Sequence, residues 1–253
     1  MKELRKAIVH MATQAGEGHI PSALSILDIV WVLYDRVMKF NPAQPDDPDR
    51  DRFILSKGHG SPALYMVLAR KGFFPAEELS TFTQFHSRFG GHPDCNKAPG
   101  VEASTGSLGH GFPMGVGMAL GLRIRHNPRH VYVVVGDAEC NEGSVWEAAL
   151  LAAHHNLANL TCIVDFNHST DRALSLGNLE AKFAAFGWNA ATVNGHDQEA
   201  LFGALTRTPD GRPSAIIAET IKGFGCAPME NNPAWHHRVP TADELPGILE
   251  ALS

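Results

Sequence analysis

Hydrophobic and polar positions along the chain follow two periods, one of helices and one of buried strands. From about Lys2 to Ala15, Leu4, Ala7, Ile8, Met11 and Ala12 recur three or four residues apart, so they share one face of a helix. Gly16 and Gly18 end it. A second helix is expected to start near Ser22, a suitable N-cap, with Leu24, Leu27, Val30, Leu33 and Val37 on its apolar side. The Pro- and Asp-rich stretch from Asn41 to Asp51 breaks the pattern as a surface loop and leads into a short strand, "RFILS". A Gly-rich turn and a helix from about Pro62 to Arg70 follow, with proline placed for a first turn. From His86 to Gly111 the chain is polar, aperiodic and rich in Gly, Pro and His, which marks a long loop of the kind that carries function.

The second half is more regular. The helix "FPMGVGMALGLRIR" contains Gly115, Gly117 and Gly121, which weaken a helix unless another element approaches closely. Close packing is the expected reason. Two apolar runs, "VYVVV" and "TCIVDF", flank the Ala/Leu-rich "SVWEAALLAAHHN", a strand-helix-strand unit. A helix around "NLEAKFAAFG", the strand "ATVN", a helix beginning at "HDQEAL" and the strand "SAIIAET" continue the alternation. This order predicts an α/β fold: a doubly wound, mostly parallel sheet with helices on both faces. With no repeat, low-complexity tract or linker, a single domain over residues 1–253 is expected.

Composition narrows the function classes. A 253-residue chain that is 44% hydrophobic can bury a large core, and a formal charge of -6 offers no general attraction to nucleic acid or anionic lipid. Neither nucleic acid nor membrane is an expected partner. Cys95, Cys140, Cys162 and Cys226 are scattered without a CxxC pair and are expected to be reduced. There is no apolar signal core and no membrane-length apolar run, so the expected location is cytoplasmic.

The candidate chemistry lies where the two strongest strands stop. Gly136 and Asp137 end the first, and Asp165, Phe166 and Asn167 end the second. Parallel neighbours in one sheet put both ends on the same edge, where open α/β sheets bind ligands and helix N-termini favour phosphate. A carboxylate and an amide oxygen are hard ligands, suited to Mg²⁺ shared with substrate phosphates. The ordinary alternative is that Asp137 caps the next helix and Asn167 makes a turn.

Further motifs bear on the choice. "GDAECNEGSVWEA" followed by "VDFN" resembles the thiamine diphosphate signature, and "GEGHIPSALS", "DRFILSKGHGSPALY", "GHPD", "STGSLGHG" and "NPAWHH" resemble transketolase elements in the family's order, from about Glu3 to His237. The chain is similar to the N-terminal half of a transketolase, and one that ends at Ser253 resembles the first subunit of a split enzyme. The resemblance implies thiamine diphosphate and Mg²⁺ as cofactors, sugar or sugar phosphate substrates, and transfer of a two-carbon ketol unit from a ketose to an aldose. It also implies a separate C-terminal subunit with the pyrimidine-binding domain, in an α2β2 heterotetramer.

Carried over by position, the resemblance makes Asp137, Asn167 and the Ser169 carbonyl the metal ligands. It sets Gly136, Ala138 and Glu139 beside the diphosphate, and Gly106 and Leu108 beside the aminopyrimidine. His59 and His236 would lie near the diphosphate and the reacting carbons, and His19 and His92 would bind donor hydroxyls. These four histidines are the catalytic candidates. Glu142 and Glu147 match carboxylates at a subunit interface. Two positions depart from the family pattern: Ala138 stands where the signature has a second glycine, which requires a negative φ, and Phe166 stands where many relatives have Asn. His110 often corresponds to Gln, and its role is open.

Other readings make different demands. A zinc hydrolase would gather His59, His86 and His92, yet no HExxH spacing is present. A nicotinamide enzyme needs GxGxxG after a strand, whereas "GVGMALG" has another spacing and sits inside a helix. A regulatory subunit with a relic site would tolerate loss of Asp137 or Asn167, and both are intact. A deoxyxylulose phosphate synthase or a 2-oxo-acid decarboxylating component shares the cofactor, but a histidine set that titrates near neutrality favours a polyhydroxy ketose. His10, His126, His130, His154, His155 and His196 are expected to be solvated.

Overall fold

Five runs form one wholly parallel sheet: β1 (Arg52–Leu55), β2 (Val131–Gly136), β3 (Leu160–Phe166), β4 (Asn189–Asn194) and β5 (Ser214–Glu219), in the order β1-β2-β3-β5-β4. The computed structural model describes residues 1–171, 173–207 and 210–252, so Ser253 lies outside the described residues. Successive strand side chains point to opposite faces, and both faces are covered. On one face Phe53, Leu55, Tyr132, Val134, Ile163 and Ile216 meet α1 (Lys2–Ala15), α2 (Ile20–Val32), α3 (Ser61–Arg70) and α7 (Gln198–Leu205). On the other, Ile54, Val133, Val135, Cys162 and Val164 meet α4 (Gly111–Ile124), α5 (Gly143–His154) and α6 (Leu179–Ala185). The expected doubly wound fold is present. The step from β4 back to β5 reverses direction across the sheet, and its helix α7 lies on the opposite face from α5 and α6, as right-handed crossovers require.

Several local expectations need correction. Helix α2 begins earlier, at Ile20: His19 takes the cap position, Pro21 sits in the first turn, and Ser22 is buried inside the helix. Proline's fixed φ and missing N–H suit that first turn better than a serine cap would. Close packing explains Gly115, where a Cβ would stand 2.4 Å from the Val133 side chain, but among the described residues nothing lies within 4 Å of a Cβ at Gly117 or Gly121, and nothing in the structure explains them. A last helix, α8 (Leu245–Ala251), has no counterpart among the expected elements; it docks through Ile248. All four cysteines are free, with only Cys95 exposed. Among the described residues no helix is long and apolar enough to cross a membrane.

Two histidines expected to be solvated are structural. His196 keeps 6% of its side chain exposed and is bonded on both ring nitrogens. His130 sets Nε2 2.8 Å from Thr161 Oγ1 and tilts against Tyr132, and burial pulls it down to about 4. An unfolded chain holds that proton below about pH 6.5, so the contribution of His130 is complete above that pH and is lost as the pH falls toward 4. The wild-type advantage over His130→Asn in urea unfolding should therefore shrink by about 2 kcal/mol between pH 7 and pH 5. A constant difference would return His130 to the surface class.

Candidate functional site

The C-terminal ends of β1, β2, β3 and β5 meet along one edge. In register, Leu55 pairs with Val134, Gly136 with Asp165, and Phe166 with Glu219, so residues far apart in sequence become neighbours. A cavity of about 720 Å³ opens on this edge. Every candidate site residue lines it: His19, His59, His92 and His236, Gly106 and Leu108, Gly136, Asp137, Ala138 and Glu139, and Asn167 and Ser169. Glu142 and Glu147 lie outside it, exposed at the start of α5. His86 is also outside, exposed against Phe85, so the zinc trio is not assembled.

The two carboxylate oxygens of Asp137 have different surroundings. Oδ1 caps the short 3₁₀ turn Ala138–Asn141 by accepting the Ala138 amide at 2.7 Å. Among the described residues Oδ2 is buried without a hydrogen-bond partner. Burial pushes the carboxyl above its usual range, against the pull of the Ala138 amide. A desolvated carboxylate oxygen with no donor suits a cation. Asn167 beside it is fixed by hydrogen bonds, and its Oδ1 also accepts the Ser169 hydroxyl. Its Nδ2 donates to Asp165 Oδ2 at 2.8 Å, which fixes the amide so that Oδ1 faces Ser169, whose N–H it accepts at 3.1 Å. Among the described residues no three His, Cys, Asp or Glu side chains form a metal cluster. A cation here would draw on one carboxylate, the Asn167 amide and backbone oxygen, with the rest supplied by its ligand. Ala138 keeps the negative φ that its Cβ demands.

Glu139 is committed elsewhere. It accepts Ser56 Oγ at 2.5 Å, the Gly109 amide at 2.9 Å and the Gly136 amide at 3.1 Å, which ties the long loop to the ends of β1 and β2. Its carboxylate lines the cavity wall, with two donors on Oε1 and one on Oε2. At Gly109, φ is +77° and a Cβ would fall 2.6 Å from Glu142, so the turn into this bond needs glycine. His110 braces the same loop through Ser107 Oγ and the Leu108 carbonyl.

Lys57, which also lines the cavity, belongs to a buried ion pair that was not among the sequence candidates. Lys57 Nζ donates to Asp165, which also accepts Ser25 and Thr220 hydroxyls at 2.5 Å each. Burial works against the Asp165 charge, but the Lys57 ammonium and the hydroxyls outweigh it and hold the carboxyl below its usual range. Lys222, Asn231, Asn232, Pro233 and His168 also line the cavity, and none of them is among the candidates from sequence. Lys222 Nζ lies 3.1 Å from Ser169 Oγ and 2.9 Å from His236 Nδ1, and burial with the nearby Lys57 charge brings it down to about 8. A signal for both lysines exists: Lys57 follows β1 and Lys222 follows β5, so the edge argument used for Asp137 applies to each.

The histidines form one cluster. The His19 ring lies 5.2 Å from those of His59 and His236, 6.4 Å from His92 and 4.4 Å from His237, centroid to centroid. Burial and mutual repulsion pull His19 down to about 4, and burial beside Lys57 takes His59 to about 2. Burial and Lys222 also lower His236. The expectation of neutral-range titration therefore fails for His19 and His59, and with His236 also lowered all three stand as uncharged hydrogen-bonding groups at pH 7.

Comparison with known proteins shows the family. The family described as "Transketolase, thiamine diphosphate binding domain" matches residues 1–250. The chain belongs to the transketolase family. Among transketolase relatives it is 39% identical over 241 residues to a 6-deoxy-6-sulfo-D-fructose transketolase subunit of Clostridium sp. (strain MSTE9), covering 92% of this chain and 88% of that one. It is 40% identical over 254 residues to a subunit of the apulose-4-phosphate transketolase of Actinobacillus succinogenes, covering 98% and 92%. The solved transketolase from Campylobacter jejuni superposes with a TM-score of 0.90 at 32% identity. That match covers 98% of this chain but only 41% of the other, so the chain spans about two fifths of the length of that transketolase.

Proposed function

We propose that this chain is the diphosphate-binding subunit of a two-chain, Mg²⁺-dependent transketolase of the cytoplasm, folded as a single domain over residues 1–253. The observation that carries this reading is Asp137 Oδ2, unpartnered among the described residues, on a residue that lines a histidine-rich cavity beside an amide held by Asp165. In this reading Asp137, Asn167 and the Ser169 carbonyl hold the cation, and Lys222 and His59 meet the diphosphate of thiamine diphosphate. Bound there, the coenzyme supplies the carbon nucleophile and electron sink that carry a two-carbon ketol unit from ketose to aldose. His19, His92 and His236 orient the hydroxyls of the sugar, and their uncharged rings both accept and donate hydrogen bonds. His236 or His19 takes the proton of the C3 hydroxyl as the carbon-carbon bond breaks and returns one to the acceptor, a service worth about 10²- to 10⁴-fold in rate. The donor is a ketose carrying an anionic group, phosphate or sulfonate, as the names of the two subunit relatives suggest.

The partner completes the pocket from the aminopyrimidine side, with a glutamate of its own, in an α2β2 assembly. Support comes from the relatives' lengths: the proteins matched nearly end to end are named subunits, whereas the solved transketolase extends well beyond this chain. Calorimetry with Mg²⁺ and thiamine diphosphate should show weak binding and no turnover by this chain alone, and tight binding with turnover once a pyrimidine-domain partner is added. Full turnover by the isolated chain would sink the split arrangement.

A further inference from the structure

The segment after β5 brings Lys222 into the cavity, and its position is fixed by contacts outside the cavity. Thr220 is held by Asp165, and the Gly223 amide donates to the Pro21 carbonyl at 3.0 Å. Between them, the Ile221 N–H donates to His196 Nε2 at 2.9 Å. The other ring nitrogen, Nδ1, stands 3.3 Å from Asp28 Oδ2, and the ring stacks on Phe224 at 3.5 Å with only 11° between planes. Asp28 is itself fixed by Arg5 at 2.8 Å and Gln198 at 3.0 Å.

The chemistry of the ring follows from its partners. A nitrogen that accepts an amide N–H carries no proton, so His196 is neutral with its proton on Nδ1, directed at Asp28. Each partner thereby dictates the role of the other nitrogen. The aromatic stack adds orientation, because the ring cannot rotate without leaving Phe224. The residue thus ties α2, through Asp28, to the backbone one residue before Lys222.

We propose that His196 is a positioning residue of this site: its neutral imidazole clamps the Ile221 amide against Asp28 and so fixes the segment that presents Lys222 to the cavity. This rests on the reading of the cavity as a diphosphate site, and it adds a residue that never touches the ligand. It also accounts for a buried histidine that no step of the proposed reaction uses.

Two near-isosteric variants separate clamping from filling space. Glutamine places an oxygen near the position of Nε2 and can still accept the Ile221 amide; asparagine reaches only the position of Nδ1 and cannot. In the complex with the partner subunit, His196→Asn should weaken thiamine diphosphate binding by about 10-fold in the presence of Mg²⁺, the cost of roughly one buried hydrogen bond, while His196→Gln stays within about 3-fold. Amide hydrogen exchange gives a readout independent of the coenzyme: Ile221 should lose protection in His196→Asn and keep it in His196→Gln. Equal losses in the two variants, or a protected Ile221 in His196→Asn, would overturn the clamp. Failure of the wild-type complex to bind the coenzyme would instead overturn the diphosphate reading, and the exchange measurement would still decide the clamp.

Discussion

Replacing Asp137 with alanine is expected to weaken Mg²⁺-dependent binding of thiamine diphosphate by more than about 100-fold, since even outer partners of metal sites cost 10- to 100-fold. The two oxygens make the result readable. Loss of the cap made by Oδ1 costs about 1 kcal/mol of stability, whereas loss of the unpartnered Oδ2 removes the one side-chain carboxylate proposed for the cation. Asp137→Asn should keep much of the cap and still lose most of the metal-dependent affinity. Titrating Mg²⁺ at fixed coenzyme, beside thermal unfolding, separates the two effects. Unchanged affinity in Asp137→Ala, with only a small drop in stability, would leave capping as its whole role.

The second large effect concerns Lys57. Removing one partner of a buried ion pair strands the other charge, at a cost of about 3–5 kcal/mol, a large share of the roughly 5–15 kcal/mol that holds a typical domain together. Lys57→Met should therefore be strongly destabilised in urea unfolding. Adding Asp165→Asn removes the stranded charge while keeping an acceptor for the Ser25 and Thr220 hydroxyls, so most of that stability should return. Coenzyme affinity should not follow it back, because the Asn167 amide loses the carboxylate that orients it. If the double variant recovers both stability and affinity, Asp165 has no orienting role. If it recovers neither, the pair is more than a compensated charge.

How far the fold could be read from the chain depended on whether the signal was local. The runs around Val133 and Ile163 are apolar throughout because helices cover both faces of the sheet, so their pattern announces central strands. The ends at Gly136 and Asp165 could be placed on one edge in advance because parallel neighbours share it, and the structure pairs the two residues. Lys57 and Asp165 could each be placed near that edge, but not as partners, since their contact spans 108 residues. The same holds for His130 and His196: a histidine that looks solvated in sequence becomes structural only when Thr161 or Asp28 is folded against it. For the cavity histidines the residue types were legible and their protonation was not, because their repulsion exists only once four separate segments have brought the rings together.

That convergence has a thermodynamic side. The cavity exists only while β1, β2, β3 and β5 stay in register, so anything bound there must be released before the sheet can come apart. A ligand at one hundred times its dissociation constant would then add about 2.7 kcal/mol to the whole domain. The pocket would work as a latch across distant stretches of chain, with coenzyme supply setting what share of the protein is protected from proteolysis.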